Sequence, residues 1–164
     1  LVPKGWRIPT ISDFEDLKLQ IDYTCIGAEE NDFNTDPTTD DPDDHQGVLL
    51  AYPVLSDSDG YSGDALWEPS SALAQFNNQV HMGATGFNAR PTAYRYAYAG
   101  GEGGLWMHHG KNCAMWCIDG PEGSFGLKTH CVIYYQGPGL YITQGLGSAD
   151  GLQIRCCRDI DTID

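Results

Sequence analysis

The sequence predicts an α+β domain, with two short helices early and a twisted antiparallel sheet late. Two apolar stripes with helical spacing lie in the first half of the chain. The second half consists of short β-rich segments bounded by glycine or proline turns. At 164 residues the chain is long enough to bury a core of its own, so we expect a single domain spanning 1–164.

The first predicted helix begins after Thr10, which is a good N-cap. Asp13 follows at the third helical position, which is close to a capping box. Phe14, Leu17 and Ile21 then form one apolar stripe that would face the core.

Two further segments are predicted between this helix and the late strands. The apolar run 47–55 is expected to be a strand, with Pro53 at its end or at a sheet edge. After it, Ser70 or Ser71 can cap a second short helix. The buried stripe of that helix would consist of Leu73, Phe76 and Val80.

The stretch 86–109 is predicted to organise the fold. Tyr94, Tyr96 and Tyr98 alternate with smaller or polar residues, which is the period of a strand with one aromatic face. A glycine-rich turn follows, and 105–108 resumes an extended, bulky run. We therefore expect a hairpin at the centre of a sheet.

Four later segments are predicted to be strands. They are 113–118, 129–135, 140–143 and 152–158.

The chain is strongly acidic, with a formal net charge of −14 at pH 7. Between Lys18 and Arg90 there is no lysine or arginine. Such a chain is repelled by nucleic acid and anionic lipid, so cations are its expected small partners. No run approaches the roughly 20 apolar residues of a membrane helix, so no membrane insertion is expected.

Two acidic segments are candidates for cation binding. The segment 29–44 is interpreted as an acidic loop insert, either a solvated loop or one partly neutralised by Ca²⁺. Asp57, Asp59 and Asp64 resemble the start of a calcium loop, with alternate carboxylates and a glycine for the turn. An ordinary Asp/Ser/Gly turn is the alternative.

Six cysteines point to a disulfide framework and an oxidising compartment, so we expect a secreted or cell-surface protein. Their spacing fits a zinc site less well, since it offers only one loose pair and one adjacent pair. A copper or thiol-oxidase site on two of them is a further alternative. The six are Cys25, Cys113, Cys117, Cys131, Cys156 and Cys157.

Three segments resemble the FISUMP-type major paralogous domains of secreted bacterial proteins. Residues 5–17 match an opening of the form G-W-x-[LI]-P-[ST] with a later acidic–aromatic pair and a leucine. Residues 86–95 resemble G-F-x-A-x-P-x-G-Y-R, although Thr92-Ala93 replaces the expected glycine. Residues 151–159 resemble the closing G-x-S-V-R-C motif. The resemblance implies a C-type-lectin-like fold, similar also to formylglycine-generating enzymes, and it implies export.

The sequence contains no recognisable catalytic set, and we expect a non-enzyme. The first hypothesis is an extracellular interaction or assembly protein, such as a subunit of a bacterial fibre or adhesin, with self-association or other surface proteins as partners and Ca²⁺ as a stabilising ion. A calcium-dependent, carbohydrate-binding lectin-like module is the alternative, and an oxidase built on Cys113 and Cys117 is the third.

Aromatic side chains could fill a core or interface, or stack on sugars. They are Tyr94, Tyr96, Tyr98, Trp106, Tyr134, Tyr135 and Tyr141.

Overall fold

The computed structural model describes residues 2–21, 46–57, 66–75, 82–97, 104–120, 126–137 and 139–159. Within them the chain is α+β, with short helices that precede two small antiparallel sheets. The helices are α1 (Ile11–Gln20), α2 (Gln46–Leu50) and α3 (Ala72–Gln75). The strands are β1 (Thr92–Tyr96), β2 (Leu105–His109), β3 (Asn112–Trp116), β4 (Leu127–Tyr134) and β5 (Tyr141–Gly147).

The start of α1 confirms the predicted capping box. The backbone N–H of Thr10 donates to Oδ2 of Asp13 at 2.6 Å, and the N–H of Asp13 donates to Oγ1 of Thr10 at 3.2 Å. These bonds satisfy donors that the first helical turn leaves without partners. Phe14 and Ile21 are buried as predicted, and Leu17 packs against the same core.

The predicted strand at 47–55 is wrong, because Gln46–Leu50 forms α2. All residues of this helix are buried. A short run that is apolar on every side carries no period, so helix and strand cannot be told apart from its pattern. Only isolated bridges remain of the expected strand, from Ala51 to Ala89 and from Leu55 to Trp67.

The predicted cap of the next helix is confirmed at Ser71. Its Oγ accepts a hydrogen bond from the backbone N–H of Ala74 at 3.3 Å. Leu73 is fully buried, as expected. Phe76 and Val80, the rest of the predicted stripe, lie outside the described residues.

The two strands of the predicted hairpin are confirmed, but the hairpin does not lie at the centre of a sheet. β1 and β2 pair antiparallel, with Tyr94 opposite Met107 and Tyr96 opposite Leu105. They form a two-stranded sheet of their own instead of the centre of a larger one. The late strands instead complete a separate sheet in the order β3-β4-β5.

The three-stranded sheet has one face in the hydrophobic core and a second face, called the β1-side face, that is also buried at its centre. Met115 lies opposite Cys131 in the β3–β4 ladder, and both side chains are buried in the hydrophobic core. Because side chains alternate along a strand, Ala114 and Val132 point to the other face. That face looks toward β1, which contacts β3.

The predicted last strand, 152–158, is wrong as a continuous element. The chain there makes only single bridges, from Gly151 to Arg95, from Gln153 to Met115 and from Cys157 to Arg7. Successive residues thus pair with three different parts of the fold, so no single ladder can form. The result is a clamp that joins the end of the described chain to its beginning.

Candidate functional site

The predicted calcium site is only partly within the described chain. Asp57 is exposed, and Asp59 and Asp64 lie outside the described residues. In the described ranges, no group of three or more His, Cys, Asp or Glu side chains is arranged to hold a metal ion. Calcium binding by these residues therefore stays a prediction, as does any cation at 29–44.

The predicted cysteines separate into a buried and a half-buried set. Cys113 and Cys131 are buried, whereas Cys117, Cys156 and Cys157 are half-buried. All five carry free thiols in the structure, and Cys25 lies outside the described residues. Burial raises the pKa of Cys113, and likewise that of Cys117, to about 12. The disulfide framework, and copper at these thiols, stay predictions.

A cavity of about 220 Å³ lies between the two sheets. Its floor is the β1-side face of the three-stranded sheet, and the hairpin residues Tyr94 and His108 form its opposite wall. We call it the inter-sheet pocket. It is lined by Tyr94, His108, Asn112, Ala114, His130, Val132, Tyr134, Tyr135, Gln136, Thr143, Gln144, Gly145 and Leu146.

A buried carboxylate helps to fix the position of the hairpin relative to β5. Oδ1 of Asp150 accepts the backbone N–H of Ala97 at 2.7 Å, and Oδ2 accepts that of Gly147 at 2.7 Å. Asp150 thus ties the end of β1 to the end of β5. Hydrogen bonds from a backbone N–H to a carboxylate are short and strong, so they stabilise this arrangement of the two strand ends.

The hairpin wall of the pocket contains a strained residue. His108 on β2 has a φ of 61°. Ala93 on β1, which lies across the hairpin from His108, has a φ of 70°. Residues with side chains seldom adopt this region, at a cost of about 1–3 kcal/mol each. The kink brings the His108 ring against the ring of Tyr94, with centroids 5.4 Å apart.

The floor of the pocket contains a buried polar group without a partner. Asn112 is 4% exposed, and its Oδ1 accepts no hydrogen bond from any residue that the structure describes. A buried polar atom left without a partner costs about 1–3 kcal/mol. Because Asn112 lines the pocket, a ligand with a hydroxyl or N–H group could supply the missing donor.

Within the part of the chain that the structure describes, the pocket lining is polar and carries no formal charge near pH 7. None of these lining side chains is Asp, Glu, Lys or Arg. Partial desolvation lowers the pKa of His108, and nearby Lys111 lowers it further. Burial lowers the pKa of His130, and a hydrogen bond to the Lys128 carbonyl opposes this shift with a smaller effect. Burial raises the pKa of Tyr94 and of Tyr134. These two imidazoles and two phenols are therefore neutral hydrogen-bonding groups.

This lining suits a small, neutral ligand rich in hydroxyl groups. Aromatic faces provide stacking surfaces, and the amide, imidazole and phenol groups provide donors and acceptors. An ion would enter without a charged partner and would lose its hydration. The predicted aromatic platform is partly assembled here, since Tyr94, Tyr134 and Tyr135 line the pocket.

The other platform residues lie elsewhere, and two site residues were missed. Trp106 is 63% exposed on β2, and Tyr98 is outside the described residues. Asn112 and His130 were not predicted. Asn112 is the one polar residue of β3, so this break in an apolar run is a signal that could have found it. His130 follows the polar residues Lys128 and Thr129 in β4, so its strand carries no such signal.

Comparisons with known proteins do not identify the chain. No family model matches it, and searches of curated proteins and of solved structures find no match. The resemblance to FISUMP-type domains therefore stays a prediction. Across the described ranges, no helix is long and apolar enough to cross a membrane.

Proposed function

We propose that the chain is a non-enzymatic binding module whose inter-sheet pocket holds a small, neutral, hydroxyl-rich ligand, such as a sugar ring. The observation that carries the proposal is the unpartnered Oδ1 of Asn112, buried in a pocket with aromatic walls. Strain at His108 and the lowered pKa of two histidines support the same location, because such features concentrate at functional sites.

The chemistry of the inter-sheet pocket favours ligand binding without calcium. Calcium binds hard, mostly charged oxygen ligands, and the described residues of the lining offer no carboxylate. Calcium at Asp57, Asp59 and Asp64 would then be structural and not a bridge to the sugar. The C-type-lectin-like fold, the disulfides and the extracellular location remain part of the proposal, and their support is the three motifs and the six cysteines.

A glycan array tests the proposal. The chain should bind neutral glycans in calcium and equally in excess chelator. A His108→Asn variant, which tolerates the left-handed backbone but loses the ring stack, should lose those signals. Binding that disappears in chelator would favour the calcium loop as the site, and an array without neutral glycans would end the proposal.

A second candidate is self-assembly into a surface structure, with β2 as the contact. Within the described chain β2 pairs only with β1, so its outer edge offers backbone groups to another strand. Leu105 and Trp106 are exposed on this strand, at 49% and 63%. Large exposed apolar side chains on an edge strand favour association with another chain.

Light scattering in calcium and in chelator tests the assembly. The chain should form oligomers that a Trp106→Lys variant cannot form, since a lysine on an edge strand opposes pairing. Trp6→Lys is the matched control, because Trp6 is also exposed but lies before α1. A chain that is monomeric in every condition would rule out assembly and leave ligand binding unaffected.

A further inference from the structure

A second cavity adjoins the inter-sheet pocket. It has a volume of about 230 Å³ and is lined by Tyr134, Gln136, Gly137 and Tyr141. Tyr134 and Gln136 also line the inter-sheet pocket, so these two side chains form a wall common to both. We call the second cavity the side compartment.

The side compartment is built around two tyrosines. Tyr141 on β5 lies opposite Val132 on β4. Tyr134 follows Val132 by two residues on the same strand, so Tyr134 and Tyr141 are diagonal neighbours on the β1-side face of the sheet. Their ring centroids are 5.7 Å apart and their planes meet at 46°. Together they make a bent aromatic wall that leads out of the inter-sheet pocket.

Gly137 helps to hold Tyr141 in this position. A Cβ at residue 137 would overlap the hydroxyl of Tyr141. Any side chain at 137 would thus displace the Tyr141 ring. A glycine at this position keeps the compartment open and its aromatic wall in place.

Each cavity is too small for a ligand of ordinary size. Binding sites for drug-sized ligands have volumes of about 300–1,000 Å³, and both cavities fall below that range. The two together fall within it. The described residues that line the side compartment, like those that line the pocket, include no charged side chain.

We infer that the ligand is a linear, neutral oligosaccharide of at least two rings, with one ring in the inter-sheet pocket and the next against Tyr141 in the side compartment. This inference rests on the proposed function. The second ring gains the aromatic contact of Tyr141, which lines the side compartment and is not among the described residues that line the inter-sheet pocket.

Affinity as a function of chain length tests the inference. Calorimetric titrations would use two neutral series: glucose, cellobiose and cellotriose, and N-acetylglucosamine, chitobiose and chitotriose. In at least one series the disaccharide should bind about tenfold more tightly than the monosaccharide, the gain expected from one added aromatic contact. The trisaccharide should add little beyond that.

Variants separate the two compartments. Tyr141→Ala should reduce the disaccharide affinity to that of the monosaccharide and leave the monosaccharide affinity unchanged. Gly137→Ala should act in the same direction, because it displaces the same ring. Tyr52→Ala is the matched control, since Tyr52 stacks on Arg90 and lines neither cavity. Thermal melting of each variant confirms that it is folded.

The outcomes distinguish the inference from the proposed function. Equal affinity for monosaccharide and disaccharide, or an equal loss of both in Tyr141→Ala, would overturn the second compartment and leave sugar binding intact. No binding of any member of either series, together with a glycan array without neutral glycans, would overturn both.

Discussion

His108 stacks on Tyr94 although the ladder would place the two side chains on opposite faces of the hairpin. Tyr94 pairs with Met107, so the residue after Met107 should point the other way. The positive φ of His108 turns its ring back, to an interplanar angle of 22° with Tyr94. The strained backbone is thus what closes one wall of the inter-sheet pocket.

Replacing His108 by Asn should weaken ligand binding by about tenfold, because the stacked wall is lost. Stability should change little, since Asn accepts the left-handed conformation better than most residues. Titration calorimetry with a glycan from the array measures the first effect and thermal melting the second. His109→Asn, on the same strand but outside the pocket lining, is the control. Equal losses in both variants would contradict a specific role for His108.

Replacing Asn112 by Leu should lower ligand affinity without lowering stability. The substitution removes the unpartnered Oδ1, so the free energy of unfolding should stay the same or rise by about 1 kcal/mol. The ligand loses a hydrogen-bond partner at the floor of the pocket. Urea unfolding and calorimetry measure the two effects. A large loss of stability with unchanged binding would show that Asn112 is structural.

The ion pairs of Arg7 with Asp13 and Asp159 should make the free energy of unfolding depend on pH in the acid range. Nη2 of Arg7 donates to Oδ1 of Asp13 at 2.7 Å and to Oδ1 of Asp159 at 2.9 Å. Hydrogen bonds from Arg7 hold the pKa of Asp13 well below its ordinary value of 3.8. Since the folded-state pKa is depressed, the stabilisation is complete above about pH 4 and is lost as the pH falls below it.

Asp13→Asn should therefore cost about 1 kcal/mol at neutral pH, a modest value because the ion pairs are partly exposed. The difference from the unsubstituted chain should shrink as the pH falls below 3.8. Urea unfolding at several pH values measures it, with Asp16→Asn, exposed on the same helix, as the control. A stability difference that persists unchanged in strong acid would contradict a stabilising role for the ion pair of Arg7 with Asp13.

In a folded chain that has first been mildly reduced, so that its cysteines are thiols, the buried thiols should resist alkylation. Cys113 and Cys131 are buried, and burial raises the pKa of both thiols, so little reactive thiolate forms. Cys156, which is half-buried, should be alkylated faster by iodoacetamide. Peptide mass mapping after unfolding, with and without reductant, then shows which cysteines are in disulfides. Equal rates for Cys113 and Cys156 would contradict the packing.

Local signals in the sequence were sufficient for the parts of the fold that depend on near neighbours. Thr10 and Asp13 lie within one turn, and their capping box was predictable. The hairpin strands were visible in the alternation around Tyr94. The helix at Gln46–Leu50 was missed because a run buried on every side has no period.

The site depended on contacts that no local pattern encodes. Tyr94 and Tyr134 were visible as aromatic candidates, but they meet only because β1 packs against the β3-β4-β5 sheet. The orientation of His108 comes from a backbone kink, and the unpartnered state of Asn112 comes from its burial in that assembly. Tertiary contacts, and not residue types, thus made the pocket.

The most direct test of the account is chemical-shift mapping by NMR with a neutral glycan from the array, in excess chelator. The account predicts that the largest amide shift changes occur at His108, Asn112, His130 and Tyr134, and that they saturate together. Changes confined to the segment from Asp57 to Asp64, or seen only when calcium is present, would contradict it and make the acidic loop the binding site.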